Sequence, residues 1–320
     1  MEELLKALLF VGLFVSTFSL FASERKYSDL VYTPNHGDFV VEAKYGSTYN
    51  KTKWEYLSRE YFTSETNSDR ASIGFGYGFS NNFAMAVRGS QLLTSKQEIT
   101  YGPASTLNTQ KFTYKSSGME DPEIKAIYRA RDGAAEGELS TIVYLEVTPK
   151  TKKAISATTT AKGNAANGGT NIQIGTEFGS KNANVSYSFD ISLTSNGESK
   201  SKSATTGSET TTEAYGLLQG AASAQWQFGE KTNLRGSLGL GSVGKTKTKF
   251  ANGTFYEYDS ALLVLLGGAI YHEVANKAYL FAELAGVGVS ERTVKDETGV
   301  SIDETENSSG VFSVGFAKEF

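Results

Sequence analysis

The sequence predicts an all-β fold: one transmembrane, antiparallel, up-and-down β-barrel of about 12 strands, following an N-terminal signal peptide. Three observations predict it. Apolar residues recur at period two over most of the chain, which is the strand signal. The connectors between those segments alternate between short and long. Hydrophobic content is only 39%, yet 17 Tyr and 19 Phe stand beside 33 Gly and 4 Pro. That composition suits strands with one face toward lipid and one toward a polar lumen, and it excludes a bundle of membrane helices.

The first element is the apolar run 7–22, flanked by Lys6 and by Ser23-Glu24-Arg25. It is short for a membrane span and sits where the apolar core of a signal peptide belongs. Glu2 and Glu3 offset Lys6, and no A-x-A cleavage site follows, so an uncleaved anchor helix is the alternative. The expected division is a signal peptide over 1–23, a periplasmic N-terminal segment over 24–37 that is a candidate lumen plug, and an outer-membrane barrel over 38–320.

The clearest strand is 184–193, where Val185, Tyr187, Phe189, Ile191 and Leu193 alternate with Asn184, Ser186, Ser188, Asp190 and Ser192. One face is apolar and the other suits only water. The same alternation marks 41–45, 72–79, 83–88, 123–129, 138–147, 171–178, 218–228, 234–240, 256–272, 278–289 and 309–320. Short connectors fall near 80–82, 131–137, 180–182, 229–231 and 273–277. Long ones fall near 49–68, 95–117, 149–168, 195–211, 245–255 and 290–308. A β-sandwich has no reason to sort its loops by parity; a barrel with periplasmic turns and extracellular loops does. The long connectors are rich in Ser, Thr, Asn, Gly and Lys, and such stretches read as mobile, solvated loops.

The last strand places Phe312, Val314, Phe316 and Phe320 on one face. A terminal aromatic on an amphipathic strand looks like the recognition signal of the outer-membrane assembly machinery. Lys318 interrupts the apolar row, at a depth where a lysine can snorkel.

The inward row carries both signs of charge: Glu42, Lys44, Arg70, Arg88, Glu123, Lys125, Arg129, Glu138, Glu146, Glu177, Asp190, Arg235 and Glu283. In a lumen this narrow they are expected to pair across it and stiffen the barrel, or to act as a filter. One wall differs. Leu263 and Leu265, with Tyr279 and Phe281 on the next strand, are inward and apolar. Such a wall needs cover, either from the N-terminal segment 25–35 or from an apolar ligand.

Nothing points to catalysis. The two histidines, His36 and His272, both fall on the short-turn side, and no P-loop, zinc motif or G-x-S-x-G is present. The reading is no enzyme, no metal and no cofactor. The absence of Cys excludes disulfides and thiol chemistry, and a formal charge of −4 argues against a nucleic-acid partner.

The stretch Gly118-Met119-Glu120-Asp121-Pro122-Glu123-Ile124-Lys125-Ala126-Ile127-Tyr128 resembles the "G-x-G-D … K-Y" segment of the phenol meta-pathway outer-membrane β-barrel family, distant relatives of the fatty-acid and aromatic-hydrocarbon transporters. Gly118, Asp121, Lys125 and Tyr128 match, and Glu120 replaces the second Gly. Downstream, Leu145-Glu146-Val147-Thr148-Pro149-Lys150-Thr151 looks like that family's strand ending in a Pro-Thr-Gly turn, with Lys152 where Gly is expected. The likeness extends over about 38–320. The resemblance implies a monomeric, porin-like barrel of a Gram-negative outer membrane that passes small hydrophobic or aromatic solutes. The partners expected are the lipid bilayer, the assembly machinery and such a solute. The alternative is a structural or surface-interaction barrel with a closed lumen, acting through its extracellular loops.

Overall fold

A computed structural model describes residues 26–133, 137–182 and 184–320. The expected signal peptide, 1–23, lies outside the described residues. Twelve strands form the wall: β1 (Phe39–Tyr56), β2 (Arg59–Gly78), β3 (Phe83–Tyr101), β4 in two segments (Lys111–Met119 and Glu123–Arg131), β5 (Leu139–Thr148), β6 (Asn171–Ser180), β7 (Val185–Asn196), β8 (Tyr215–Phe228), β9 (Thr232–Val243), β10 (Ala261–Ala275), β11 (Ala278–Val289) and β12 (Ser301–Glu319). Each pairs antiparallel with the next, and β12 closes on β1, with Tyr45 opposite Val314. Phe39 and Phe320 exchange two backbone hydrogen bonds at the seam, of 3.2 and 2.8 Å. Closure pairs the strands all round and leaves no open edge, which is the condition for strands to cross lipid.

Alternation decides which residues face out. Tyr187 is 56% exposed, Leu238 58%, Leu262 66% and Leu240 67%. A continuous belt of such residues around a barrel has no place in water and belongs in hydrocarbon. Phe79, Phe83, Tyr128, Trp226 and Phe228 gather toward the short-turn end as an aromatic girdle.

The long connectors depart from expectation. They are not structureless loops. β1 and β2 run on as a hairpin to a two-residue turn, where Leu57 and Ser58 both take positive φ (50° and 58°), as a primed hairpin turn requires. Thr246–Lys249 pairs with Phe255–Tyr258, which pairs in turn with Arg292–Asp296, and Ser199–Ser203 pairs with Glu209–Thr212. Together these continue the wall beyond the lipid belt as a tier on the long-connector side. The reason is physical. A strand wet on both faces needs no apolar alternation, so sequences such as Thr-Lys-Thr-Lys look like loop while their backbone groups still gain from pairing.

Candidate functional site: the barrel lumen

The N-terminal segment lies inside the short-turn half of the barrel. Lys26 Nζ pairs with Glu273 at 3.1 Å, and Asp29 with Lys181 at 2.9 Å. Asn233 donates to Ser28 Oγ (2.8 Å), Tyr32 donates to Glu319 (3.0 Å), Tyr27 donates to Glu42, and Arg129 donates to Thr33. Leu30 and Val31 pack on Ile142. These partners come from the inner faces of β1, β4, β5, β9, β10 and β12 and from the turn after β6, so the segment is tied around the whole circumference.

Its Tyr27 ring explains part of the apolar wall. It lies 5.8 Å from Tyr279, 6.1 Å from Phe281 and 6.3 Å from Tyr271, measured between centroids. Rings that would otherwise face lumen water are covered by another ring, with each aromatic pair contributing about 0.5–1.5 kcal/mol. Tyr279 and Phe281 are thus covered by the chain itself. Leu263 lies higher, beyond the reach of Tyr27; it is itself buried and borders a cavity of about 450 Å³ together with Leu217, Val243, Val289 and Tyr258. Leu265 is the next inward residue below Leu263 on β10 and packs beside Gly239 of β9.

The remaining wall is charged. Arg88 reaches Glu123 (3.1 Å) and Glu42 (3.3 Å), and Lys44 reaches Glu283 (2.5 Å). Glu283 also accepts from Tyr271 and Ser313. Lys125 stands 4.0 Å from Glu146 and 4.3 Å from the centroid of Tyr144, whose hydroxyl donates to Asp190 at 2.9 Å. Glu177 lies opposite Asp190 in the β6–β7 pair. Arg235 donates to Gln225 and to the carbonyls of Ser28 and Asp29. The pairing differs from the expectation in one respect. The ion pairs run along the wall, between neighbouring or next-neighbouring strands, and the N-terminal segment makes the crossing. A strand spacing near 5 Å suits a side-chain pair; the width of a twelve-stranded lumen does not.

At the mouth stands a group that sequence reasoning missed. Trp54 stacks on Phe62 (5.3 Å) and meets Tyr258 edge-on (6.0 Å), while Phe62 touches Tyr101 (6.0 Å). Tyr258 also carries the Arg292 guanidinium at 5.0 Å, and Arg292 is ion-paired with the buried Glu304 at 2.5 Å. Trp54 and Tyr258 belong to ladders separated by two others, so their contact bridges the concave inner face of the tier. The signal that would have found them is aromatic residues recurring inside connectors that are otherwise polar.

The motif residues also come together. β4 breaks at Glu120-Asp121-Pro122, just past Gly118, which takes φ +130°. Glu120 pairs with Arg70 at 2.7 Å. Asp121 is 4% exposed and accepts from Thr151 N (2.9 Å), Thr151 Oγ1 (2.5 Å) and Asn167 N (2.9 Å). Asp121 and Thr151, from the two separate stretches that carry the resemblance, are therefore bonded to each other. Lys125 faces the lumen; Tyr128 faces out.

The histidines sit at the short-turn end, each beside a single partner: His36 Nδ1 lies 2.9 Å from the carbonyl oxygen of Phe79 and His272 Nδ1 lies 2.9 Å from Thr232 Oγ1. Phe312, Val314 and Phe316 point outward on β12. Lys318 folds back to the carbonyl of Asn276 at 2.5 Å, its ammonium 5.7 Å from the Phe320 centroid.

No family model and no curated protein matches the sequence. Among solved structures, the chain is similar to the COG4313 outer membrane channel from Pseudomonas putida F1, at 11% identity and TM-score 0.56, over 93% of this chain and 100% of that one. More remote barrels include the outer membrane protease OmpT from Escherichia coli (10% identity, TM-score 0.42, 92% and 99% covered) and the CymD monoaromatic hydrocarbon channel (10%, 0.39, 89% and 89%). The chain has the fold of an outer-membrane β-barrel, and its apolar belt seats it in a lipid bilayer.

Proposed function

We infer that the protein is a passive, non-enzymatic channel of the outer membrane whose lumen takes small hydrophobic or aromatic solutes. The observation that carries this is a cavity beside the inner apolar wall that the N-terminal segment does not fill. Barrel interiors are ordinarily polar. Here the partly exposed Leu217, Val243 and Val289, with the buried Leu263, border a cavity of about 450 Å³ whose remaining lining is Tyr258 and polar residues such as Thr212, Thr248 and Asn307. A volume of this size suits a one- or two-ring solute. Apolar side chains facing a wet cavity leave transfer free energy unrealised, about 25 cal/mol per Å². An apolar solute recovers it. The aromatic group at the mouth supplies ring faces on the way in.

Two features support the family reading: the residues Gly118, Asp121, Lys125 and Tyr128, and the bond between Asp121 and Thr151. One feature favours the second reading, a surface-interaction barrel with a closed lumen: the paired extracellular tier, which presents ordered strands outside the lipid.

The test is planar-bilayer conductance of the refolded protein with an aromatic probe and a fatty acid added in turn. Block by either solute, lost in Leu263→Arg and Leu265→Arg, is expected. Silence from a heat-modifiable, folded barrel rejects passage and favours the second reading, for which deletion of 290–300 should abolish surface binding.

A further inference from the structure

Two stretches of the segment 149–170 between β5 and β6 are tied together by one buried carboxylate. Asp121 stands where β4 breaks, so its side chain is free of the strand's alternation. It accepts from both ends of the segment: Thr151 through N and Oγ1, and the Asn167 amide. A carboxylate satisfied by three donors is a strong tie, since charge-assisted bonds are about twice as strong as neutral ones. The rest of the segment is fitted to its neighbours. Gly163 N donates to the Lys115 carbonyl (3.0 Å), Ala154–Ser156 pairs with 201–203, and Lys200 N donates to the Gly168 carbonyl (3.1 Å). A Cβ on Gly168 would lie 2.6 Å from the Lys200 carbonyl oxygen, and φ there is +75°.

The consequence is a wall inside the lumen. Asn167 lines a cavity of about 350 Å³ with Lys44 and Thr48 of β1, Arg70 of β2, Arg88 of β3 and Ser313 of β12. A residue of a connector thus faces inward residues of four strands. Release Asp121, and the two stretches around Thr151 and Asn167 lose their common tie and can move off the charged wall, while the pairing with 201–203 and the bonds to Lys115 and Lys200 keep the rest of the segment in place.

We propose that Asp121 is a positioning residue that fixes the bore of the outer half of the lumen by drawing the 149–170 segment over its charged wall. It acts through Thr151 and Asn167, from a place on the border of the same cavity. The proposal deepens the channel reading by naming what sets the size of the solute admitted.

The chain has no cysteine, so one introduced at Thr48, on the wall of that cavity, reports access alone. The full-length protein is placed in liposomes with its long-connector side outward. It is labelled with a small charged maleimide, then with a maleimide on a bulky polyethylene glycol. With Asp121 intact, the small reagent reacts and the bulky one is slow. In Asp121→Asn the bulky reagent is expected to react about ten-fold faster or more, with Thr151→Val giving a smaller gain in the same direction. Trypsin cleavage between Lys150 and Lys162 should accelerate in parallel. Heat-modifiability shows that the barrel itself is folded. Unchanged bulky-reagent rates in folded Asp121→Asn overturn the proposal, as does faster cleavage without faster labelling. Labelling does not require conduction, so a silent wild-type channel would reject the channel reading and leave the role of Asp121 to be decided by these rates.

Discussion

Replacing Tyr27 by alanine should release the N-terminal segment from the lumen. The ring meets four others, at centroid distances of 5.6 Å (Tyr32), 5.8 Å (Tyr279), 6.1 Å (Phe281) and 6.3 Å (Tyr271), and its hydroxyl donates to Glu42. Truncating a packed aromatic costs about 3–5 kcal/mol. Tyr27 is only half-buried, and water can reach the vacated site and Glu42, so about 3 kcal/mol is the fair figure. At 1.4 kcal/mol per decade, the ratio of released to docked segment rises about one-hundred-fold. The assay is single-channel recording beside thiol labelling of a cysteine at Leu30, which is 6% exposed while docked. Both conductance and labelling rate should rise strongly in Tyr27→Ala and much less in Tyr27→Phe, which keeps the rings and loses the Glu42 bond. If labelling at Leu30 in Tyr27→Ala stays within a factor of about two of the parent, the ring contacts do not hold the segment and the reasoning fails.

Three further outcomes follow from the geometry. Glu304→Gln leaves Arg292, whose side chain is 14% exposed, beside a neutral partner in the tier; breaking such a pair costs about 3–5 kcal/mol, so hydrogen exchange over 292–304 should quicken while the membrane strands stay protected. Leu238→Lys puts a charge on the lipid face of β9, and should lower unfolding free energy in liposomes by about 2–4 kcal/mol; no loss would move Leu238 out of the bilayer midplane. In the tier, hydrogen bonding from Lys249 lowers the Glu213 carboxyl, that from Lys245 lowers Asp259, and that from Thr298 lowers Asp296. Depressed carboxylates stabilise above their unfolded values, near 4, and lose that contribution as pH falls through the lower folded values, so protease resistance of the tier should be flat from pH 7 to 5 and fall only below about pH 4.

Much of the barrel was legible because lipid enforces alternation. Val185, Tyr187, Phe189, Ile191 and Leu193 had to share a face, since a one-residue slip would put Asp190 into hydrocarbon. The parity of the connectors then gave strand direction and put both ends of the barrel on the short-turn side. The tier was not legible. Both faces of Thr246–Lys249 are wet, so no alternation marks it.

The site was legible only in part. Inwardness follows from register, so the positions of Arg88, Glu123, Lys125, Arg129, Glu146, Glu177, Asp190, Arg235 and Glu283 could be read strand by strand. Their partners could not, because the register of each strand against its neighbour, and where the N-terminal segment threads, are not fixed by any local pattern. Leu263 and Phe281 read alike in the sequence. One borders an open cavity and the other lies under Tyr27, more than 250 residues away along the chain.

What the sequence determined by itself was a closed, lipid-facing barrel of about twelve strands and the sides of its turns, because each of these is imposed locally by the period of two and by the solvent on each face. What only the tertiary structure decided was how the lumen is filled: Tyr27 over Phe281, Trp54 against Tyr258, Asp121 holding Thr151 and Asn167. Those contacts join residues that no local pattern relates, and closure of the sheet is what brings them within reach.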